Sequence, residues 1–188
     1  MTYRDIGVAI GIPEPFSMEL QTWRERLGDP NASRIPPHVT LLAPTALRTA
    51  DLGRVEEHLQ SIALHESPFR IHLRSSGTFR PVSPVVFVNL VEGISQCELL
   101  QERVRTGPLN RPLRFPYHPH VTVAHDLDDD SLDRAFDSLA GFDAVFDVWA
   151  FTLFERGRDG AWRPQRDFPL GCGRVGPQPA AEVAARAR

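Results

Sequence analysis

The chain has 188 residues, 41% of them hydrophobic and 24% charged, with a formal net charge of −3; these are the proportions of an ordinary globular protein with room for one full domain. So weak a negative charge excludes an electrostatic footprint for long nucleic acid, and any nucleic-acid partner would be met locally, at an end. Two cysteines, Cys97 and Cys172, exclude a disulfide framework and read as reduced thiols of a cytosolic protein. The first residues are interrupted by Asp5, Pro13 and Glu14 and do not read as a signal peptide, and no apolar run is long enough to span a membrane. The expectation is a cytoplasmic monomer.

In chain order, residues 6–12 are apolar and dotted with glycine, a buried strand that stops at Pro13. Phe16, Leu20, Trp23 and Leu27 then recur with the spacing of one helix face. Residues 28–37 form a loop rich in Gly, Pro, Asn and Ser, which delivers the chain into Pro36-Pro37-His38-Val39-Thr40-Leu41. Arg34 in this loop reads either as a solvated arginine or as a group that approaches an anionic substrate. A turn is expected after Pro44, followed by a second amphipathic helix marked by Leu52, Val55, Leu59 and Ile62, with His58 and His65 on its surface. Phe69, Ile71 and Leu73 alternate with Arg70, His72 and Arg74 as in a half-buried strand.

Residues 77–84 read as a loop with two roles open to it. Phe79 could stack on a base and Arg80 pair with phosphate, or the segment could be a rigid connection between lobes. Residues 85–91 form an apolar strand, and Ile94, Cys97, Leu100 and Val104 a third helix. A second proline-rich approach, with Arg111, Arg114, Phe115 and Tyr117 interspersed, leads into Pro116-Tyr117-His118-Pro119-His120-Val121-Thr122-Val123. Leu132, Ala135, Phe136 and Leu139 mark a fourth helix with Ser131 as its N-cap. Residues 144–154 read as one central strand, and residues 161–170 return antiparallel across the turn at 157–160. From Gly171 onward a disordered or loosely helical tail is expected.

The organising feature is the repeated His-Val-Thr-apolar tetrad, at His38 and at His120. In a strand, His and Thr of each tetrad share one face while the apolar residues take the other. Two such strands beside one cleft bring two imidazoles and two hydroxyls together. One imidazole can act as base while the other, protonated, acts as acid, and the threonines can donate hydrogen bonds to phosphoryl oxygens. Cleavage of a phosphodiester or of a 2′,3′-cyclic phosphate needs that pair and requires neither metal nor cofactor.

The first half reads strand, helix, tetrad strand, helix, strand, and the second half the same with one extra strand. The fold class is therefore α+β, two pseudo-symmetric lobes with inward-facing antiparallel sheets and outer helices, forming one bilobal domain over residues 1–170. The tetrads, their spacing and the element order resemble the two-histidine (2H) phosphoesterase superfamily, which includes the bacterial 2′-5′ RNA ligases and RNA 2′,3′-cyclic phosphodiesterases. The second motif is similar to the Pro-Phe-His-Pro-His-Ile-Thr-Leu run of that branch. The resemblance implies that His38, Thr40, His120 and Thr122 are catalytic and that Tyr117 lies close to the nucleotide; Phe79, Arg80 and Phe115 join it as candidate substrate contacts. Two departures bear on substrate identity: Leu42-Ala43-Pro44 follows the first tetrad where the branch has Phe-Leu-Gly, and His125 stands where it often has arginine.

The expected reaction is hydrolysis of a 2′,3′-cyclic phosphate, on an RNA 3′ end or a small cyclic nucleotide, to a 2′-phosphomonoester, with His120 as base and His38 as acid or the reverse. With a 5′-hydroxyl in place of water the same site would form a 2′-5′ linkage. The rival readings are a metal-dependent hydrolase built on His118, His120, His125 and His38, a non-catalytic module that binds a nucleotide or RNA end, and an idle scaffold for a protein partner.

Overall fold

The computed structural model describes residues 2–113 and 115–171; the tail, Cys172 and Arg114 lie outside them. The first half runs β1 (Tyr3–Gly11), α1 (Phe16–Arg26), β2 (His38–Arg48), α2 (Leu52–His65) and β3 (Phe69–Thr78). The second runs β4 (Val85–Glu92), α3 (Ile94–Val104), β5 (His120–His125), α4 (Asp129–Ser138), β6 (Asp143–Val148), β7 (Ala150–Arg156) and β8 (Trp162–Pro169). All the strands join one antiparallel sheet in the order β6-β3-β4-β5-β2-β1-β7-β8. The fold class is α+β, and its two four-stranded halves meet edge to edge where Val39 of β2 pairs with Val121 of β5.

The halves are interlocked. β3 leaves the first half to pair with β4, and β7 leaves the second to pair with β1. α1 likewise packs on β5, and α3 on β2. The helices bury most of the stripes that their spacing predicts: Phe16, Leu20 and Leu27 at α1; Val55 and Leu59 on α2; Cys97, Leu100 and Val104 on α3; Leu132, Ala135 and Leu139 at α4, while Ile94 and Phe136, from the same stripes, are exposed. These side chains and the inward residues of the strands, Val39, Leu41, Val121 and Val123 among them, form one core. Burial pushes the Cys97 thiol up to about 12, so it stays a neutral core residue.

Four local expectations are corrected. The chain does not turn after Pro44, because β2 continues to Arg48. The β1–β2 register shifts between Ile6↔Thr45 and Val8↔Leu42, which leaves Pro44 in an irregularity where its missing N–H costs no ladder bond. The N-cap of α4 is Asp128, not Ser131: its carboxylate accepts from Ser131 N and from Ser131 Oγ, each at 2.8 Å. β3 extends to Thr78, so the loop expected from Gly77 begins later.

The fourth correction shapes the molecule. Residues 144–154 are two strands, β6 and β7, separated by Trp149 alone, so the second half carries two extra strands. β6 and β7 stand six places apart in the strand order, which in a flat sheet spaced at about 4.8 Å would be about 29 Å. A single linking residue spans about 7 Å. The sheet therefore curls until the two strands meet.

Candidate active site

Antiparallel register stepped one residue either way from Val39↔Val121 sets His38 beside Thr122 and Thr40 beside His120. The four side chains thus form a square on the sheet face opposite the core. Each histidine is the first residue of its strand and follows a proline that is itself buried, Pro37 or Pro119. His38 Nδ1 lies 2.7 Å from Pro36 O, and His120 Nδ1 lies 2.7 Å from His118 O. A carbonyl can only accept, so in each ring Nδ1 carries the hydrogen and Nε2 is the nitrogen left for chemistry.

Burial lowers both imidazole pKa values, against the raising effect of the accepting carbonyls. The Arg24 guanidinium lowers His38 further, while His118 and then His38 itself lower His120. His120 thus feels the charge of His38, which puts the two rings in one electrostatic neighbourhood.

The surroundings of the two histidines differ. Beside His38 and Thr40 lies a cavity of about 350 Å³, walled by Gly7, Ala9, Phe154, Trp162 and, from the far side, His125. His120 instead packs into aromatic rings: its centroid is 5.0 Å from Phe79, edge to face, and 5.1 Å from Phe87, and the same two rings meet His118 at 5.6 and 5.5 Å. The cause lies in the flanking strands. β1 sets Ala9 across from Thr40 and Gly11 across from His38; β4 sets Phe87 across from Thr122 and Asn89 across from His120. Where one strand leaves room, its counterpart fills it. Each side also seats its aromatic over a glycine: a Cβ on Gly7 would stand 3.3 Å from the Trp162 ring, and one on Gly77 would stand 2.6 Å from Phe87.

The remaining sequence candidates are placed as follows. Phe79 lies against His120 and His118. Arg80 points to the first turns of α4, pairing with Asp133 at 2.6 Å and approaching Asp129 at 3.8 Å, so its guanidinium already has carboxylate partners. The Tyr117 hydroxyl donates to Thr40 O at 2.9 Å and its ring packs on the core. Burial, followed by Cys97 and Glu98, holds that phenol above its usual range. The phenol therefore ties the second motif to the first rather than opening into the cavity. Phe115 is exposed on the approach. His72 pairs with Asp143 at 3.1 Å at the far edge of the sheet. Among the described residues no group of three or more His, Cys, Asp or Glu side chains is placed to hold a metal ion.

Sequence reasoning missed Trp162, Phe154 and the small-residue face of β1. The signal for the last was present, since Gly7, Ala9 and Gly11 alternate along a strand whose other face is Ile6, Val8 and Ile10. Trp162 and Phe154 reach His38 only through the pairing of β7 with β1, for which the sequence carries no local mark.

The profile of the 2′-5′ RNA ligase superfamily matches residues 12–160. A “Putative phosphoesterase” of Halalkalibacterium halodurans is 33% identical over 167 residues, covering 88% of this chain and 96% of that protein. Another, of Bacillus pumilus, is 32% identical over 152 residues, covering 80% and 88%. Among solved structures, E. coli LigT complexed with 3′-AMP superposes with a TM-score of 0.69 at 18% identity, over 90% of this chain and 99% of that one. LigT complexed with NADP+ gives 0.68 at 19% identity, over 91% and 100%. At these identities the structures speak for the fold, and among the described residues no helix is long and apolar enough to cross a membrane. By its sequence relatives and its fold, the chain belongs to the 2′-5′ RNA ligase superfamily, as a phosphoesterase of the two-histidine kind.

Proposed function

We propose that this protein hydrolyses a nucleoside 2′,3′-cyclic phosphate, on a free nucleotide or an RNA end, to the 2′-phosphomonoester, using His38, Thr40, His120 and Thr122 and no metal. The observation that carries this reading is the pair of imidazoles on adjoining strands, each with Nδ1 tied to a carbonyl and Nε2 without a hydrogen-bond partner among the described residues, one of them bordering a cavity of nucleoside size. That LigT holds 3′-AMP, ATP and phosphate in its structures is consistent with a nucleotide ligand.

The asymmetry of the site supports a division of roles. In-line displacement puts the attacking water and the leaving 3′-oxygen on opposite sides of phosphorus, and the 3′-oxygen belongs to the nucleoside. The open cavity lies beside His38, so the nucleoside and its leaving oxygen lie there too. His120 Nε2 takes a proton from water as the water oxygen bonds to phosphorus. The bond from phosphorus to O3′ breaks, and His38 Nε2–H gives its proton to O3′. The Thr40 and Thr122 hydroxyls donate to the non-bridging oxygens as charge grows on them. A 5′-hydroxyl in the place of water would be joined in a 2′-5′ linkage by the same displacement.

The test is turnover of 2′,3′-cyclic AMP and of a short RNA ending in a cyclic phosphate, in EDTA. His38→Ala and His120→Ala are each expected to lower kcat by about 10³-fold. Because burial lowers both imidazoles below the ordinary value of about 6.5, kcat/KM should follow a bell whose alkaline limb, loss of the acid's proton, begins below about pH 6.5. Tight nucleotide binding without turnover would replace this reading by a binding module, and loss of activity in EDTA would overturn the metal-free scheme.

A further inference from the structure

The cavity beside His38 does not end at Trp162. The loop 28–37 is docked on the β7–β8 hairpin by a hydrogen bond from Trp162 N to Arg34 O at 2.8 Å. Between them runs a groove of about 560 Å³ that shares Pro36 and Trp162 with the first cavity. Three charged side chains line the groove: Glu14, Arg34 and Arg163. Two of these are engaged within the protein. Glu14 Oε2 accepts from Met18 N at 3.0 Å, and Arg163 is held by both carboxylate oxygens of Asp159, at 2.9 and 2.5 Å.

Arg34 is different. Among the described residues its guanidinium has no carboxylate partner, and neither has that of Arg156, at the end of β7. The two heads converge at the hairpin turn. A Cβ built on Gly160, whose φ is +81°, would lie 3.8 Å from Arg156 Nη2 and 4.0 Å from Arg34 Nη1. The cationic heads are therefore no more than about 8 Å apart, the span of one phosphate with an N–H···O bond on each side. Two uncompensated like charges so close repel each other, and an anion between them turns that cost into attraction.

The geometry points to Arg34 and Arg156 as a second phosphate subsite, which takes the phosphate on the 5′-oxygen of the nucleoside whose cyclic phosphate lies between the histidines. This rests on the reaction proposed above and specifies its substrate class. A polynucleotide 3′ end carries a phosphate at that 5′-oxygen, and a free nucleoside 2′,3′-cyclic phosphate does not. The enzyme would then select a nucleic-acid end, or a nucleotide phosphorylated at its 5′ position, over the bare cyclic nucleoside. The net charge of −3 agrees with a grip on the last linkage rather than on a long backbone.

The experiment measures binding of adenosine 2′,5′-bisphosphate and adenosine 2′-phosphate by calorimetry to the full chain. The wild type is compared with Arg34→Gln/Arg156→Gln and Arg34→Lys/Arg156→Lys. Charge-assisted bonds from two guanidiniums should make the bisphosphate at least about 10-fold tighter in the wild type. The Gln pair should bring the Kd ratio close to unity and flatten its salt dependence, and the Lys pair should restore part of it. Equal affinities in the wild type, or an unchanged ratio in a folded Gln pair, would overturn the subsite. Arg156→Gln alone, on an exposed hairpin, reads the same ratio if the pair does not fold. Turnover is scored separately: a preserved Kd ratio with no hydrolysis of any cyclic phosphate would sink the reaction and leave the subsite, while hydrolysis without the ratio would do the reverse.

Discussion

The two halves of this sheet present the same tetrad on equivalent strands, yet one half is open and the other is filled. Thr40 faces Ala9 across the β1–β2 pair, and Thr122 faces Phe87 across the β4–β5 pair. The neighbouring strand differs at this place, a small residue beside the open cavity and an aromatic one in the wall against His120. In the proposed reaction the two tetrads supply two like proton-transfer groups where one acid and one base are needed. The difference is supplied outside the motifs, by the flanking strand. His38 borders an open cavity, and His120 packs against the rings of Phe79 and Phe87.

Closing or opening either side tests this comparison. The largest effect is expected from Phe87→Ala, which removes a buried ring that supports His120 on one side and Phe79 on the other. It should cost about 3 kcal/mol of stability in a denaturant titration. It should also bring the base-dependent acid limb of the pH profile closer to the ordinary histidine value, since water would reach the His120 ring. A loss under 1 kcal/mol would mean that the aromatic wall is not a structural support.

Ala9→Phe is the converse, giving β1 the residue that β4 carries. The ring would occupy the cavity at His38, and kcat/KM on a cyclic nucleotide should fall by about 100-fold, chiefly through KM. Undiminished kcat/KM in a folded Ala9→Phe protein would place the nucleoside elsewhere and remove the argument for His38 as acid. Trp162→Ala keeps the cavity open but removes a stacking face. A loss of about 1 to 3 kcal/mol per stacked base predicts a KM raised roughly 5- to 150-fold with kcat little changed. Equal losses with every nucleobase would confirm stacking rather than hydrogen-bonded reading of the base.

The smallest effect is expected at Tyr117, which bridges the two halves. Tyr117→Phe deletes only the hydroxyl that donates to Thr40 O and should lower stability by about 1 kcal/mol, visible as a small shift in Tm. A large fall in nucleotide affinity with Tm unchanged would instead assign Tyr117 to the substrate, the role that family likeness gave it.

Sequence alone determined the parts of this protein that rest on local periodicity. The stripes Phe16-Leu20, Val55-Leu59, Cys97-Leu100 and Leu132-Ala135 placed four helices because a helix face repeats every three to four residues. The alternation in His-Val-Thr-apolar set each His and Thr on one strand face, whatever the strand later paired with. Boundaries resting on a single residue type were less legible, since Pro44 was absorbed by an irregularity in the β1–β2 ladder and Ser131 yielded its capping role to Asp128 one turn earlier. Tertiary structure decided what depends on which strands become neighbours. The break at Trp149 between two apolar strands curls the sheet, and the crossing of β7 onto β1 carries Phe154 and Trp162 to His38. Arg80, a candidate phosphate contact in the sequence, is held by Asp133, whereas Arg34 has no carboxylate partner among the described residues and lies beside Arg156, 122 positions away along the chain. Such contacts arise only when distant segments close on one another, so no local pattern records them.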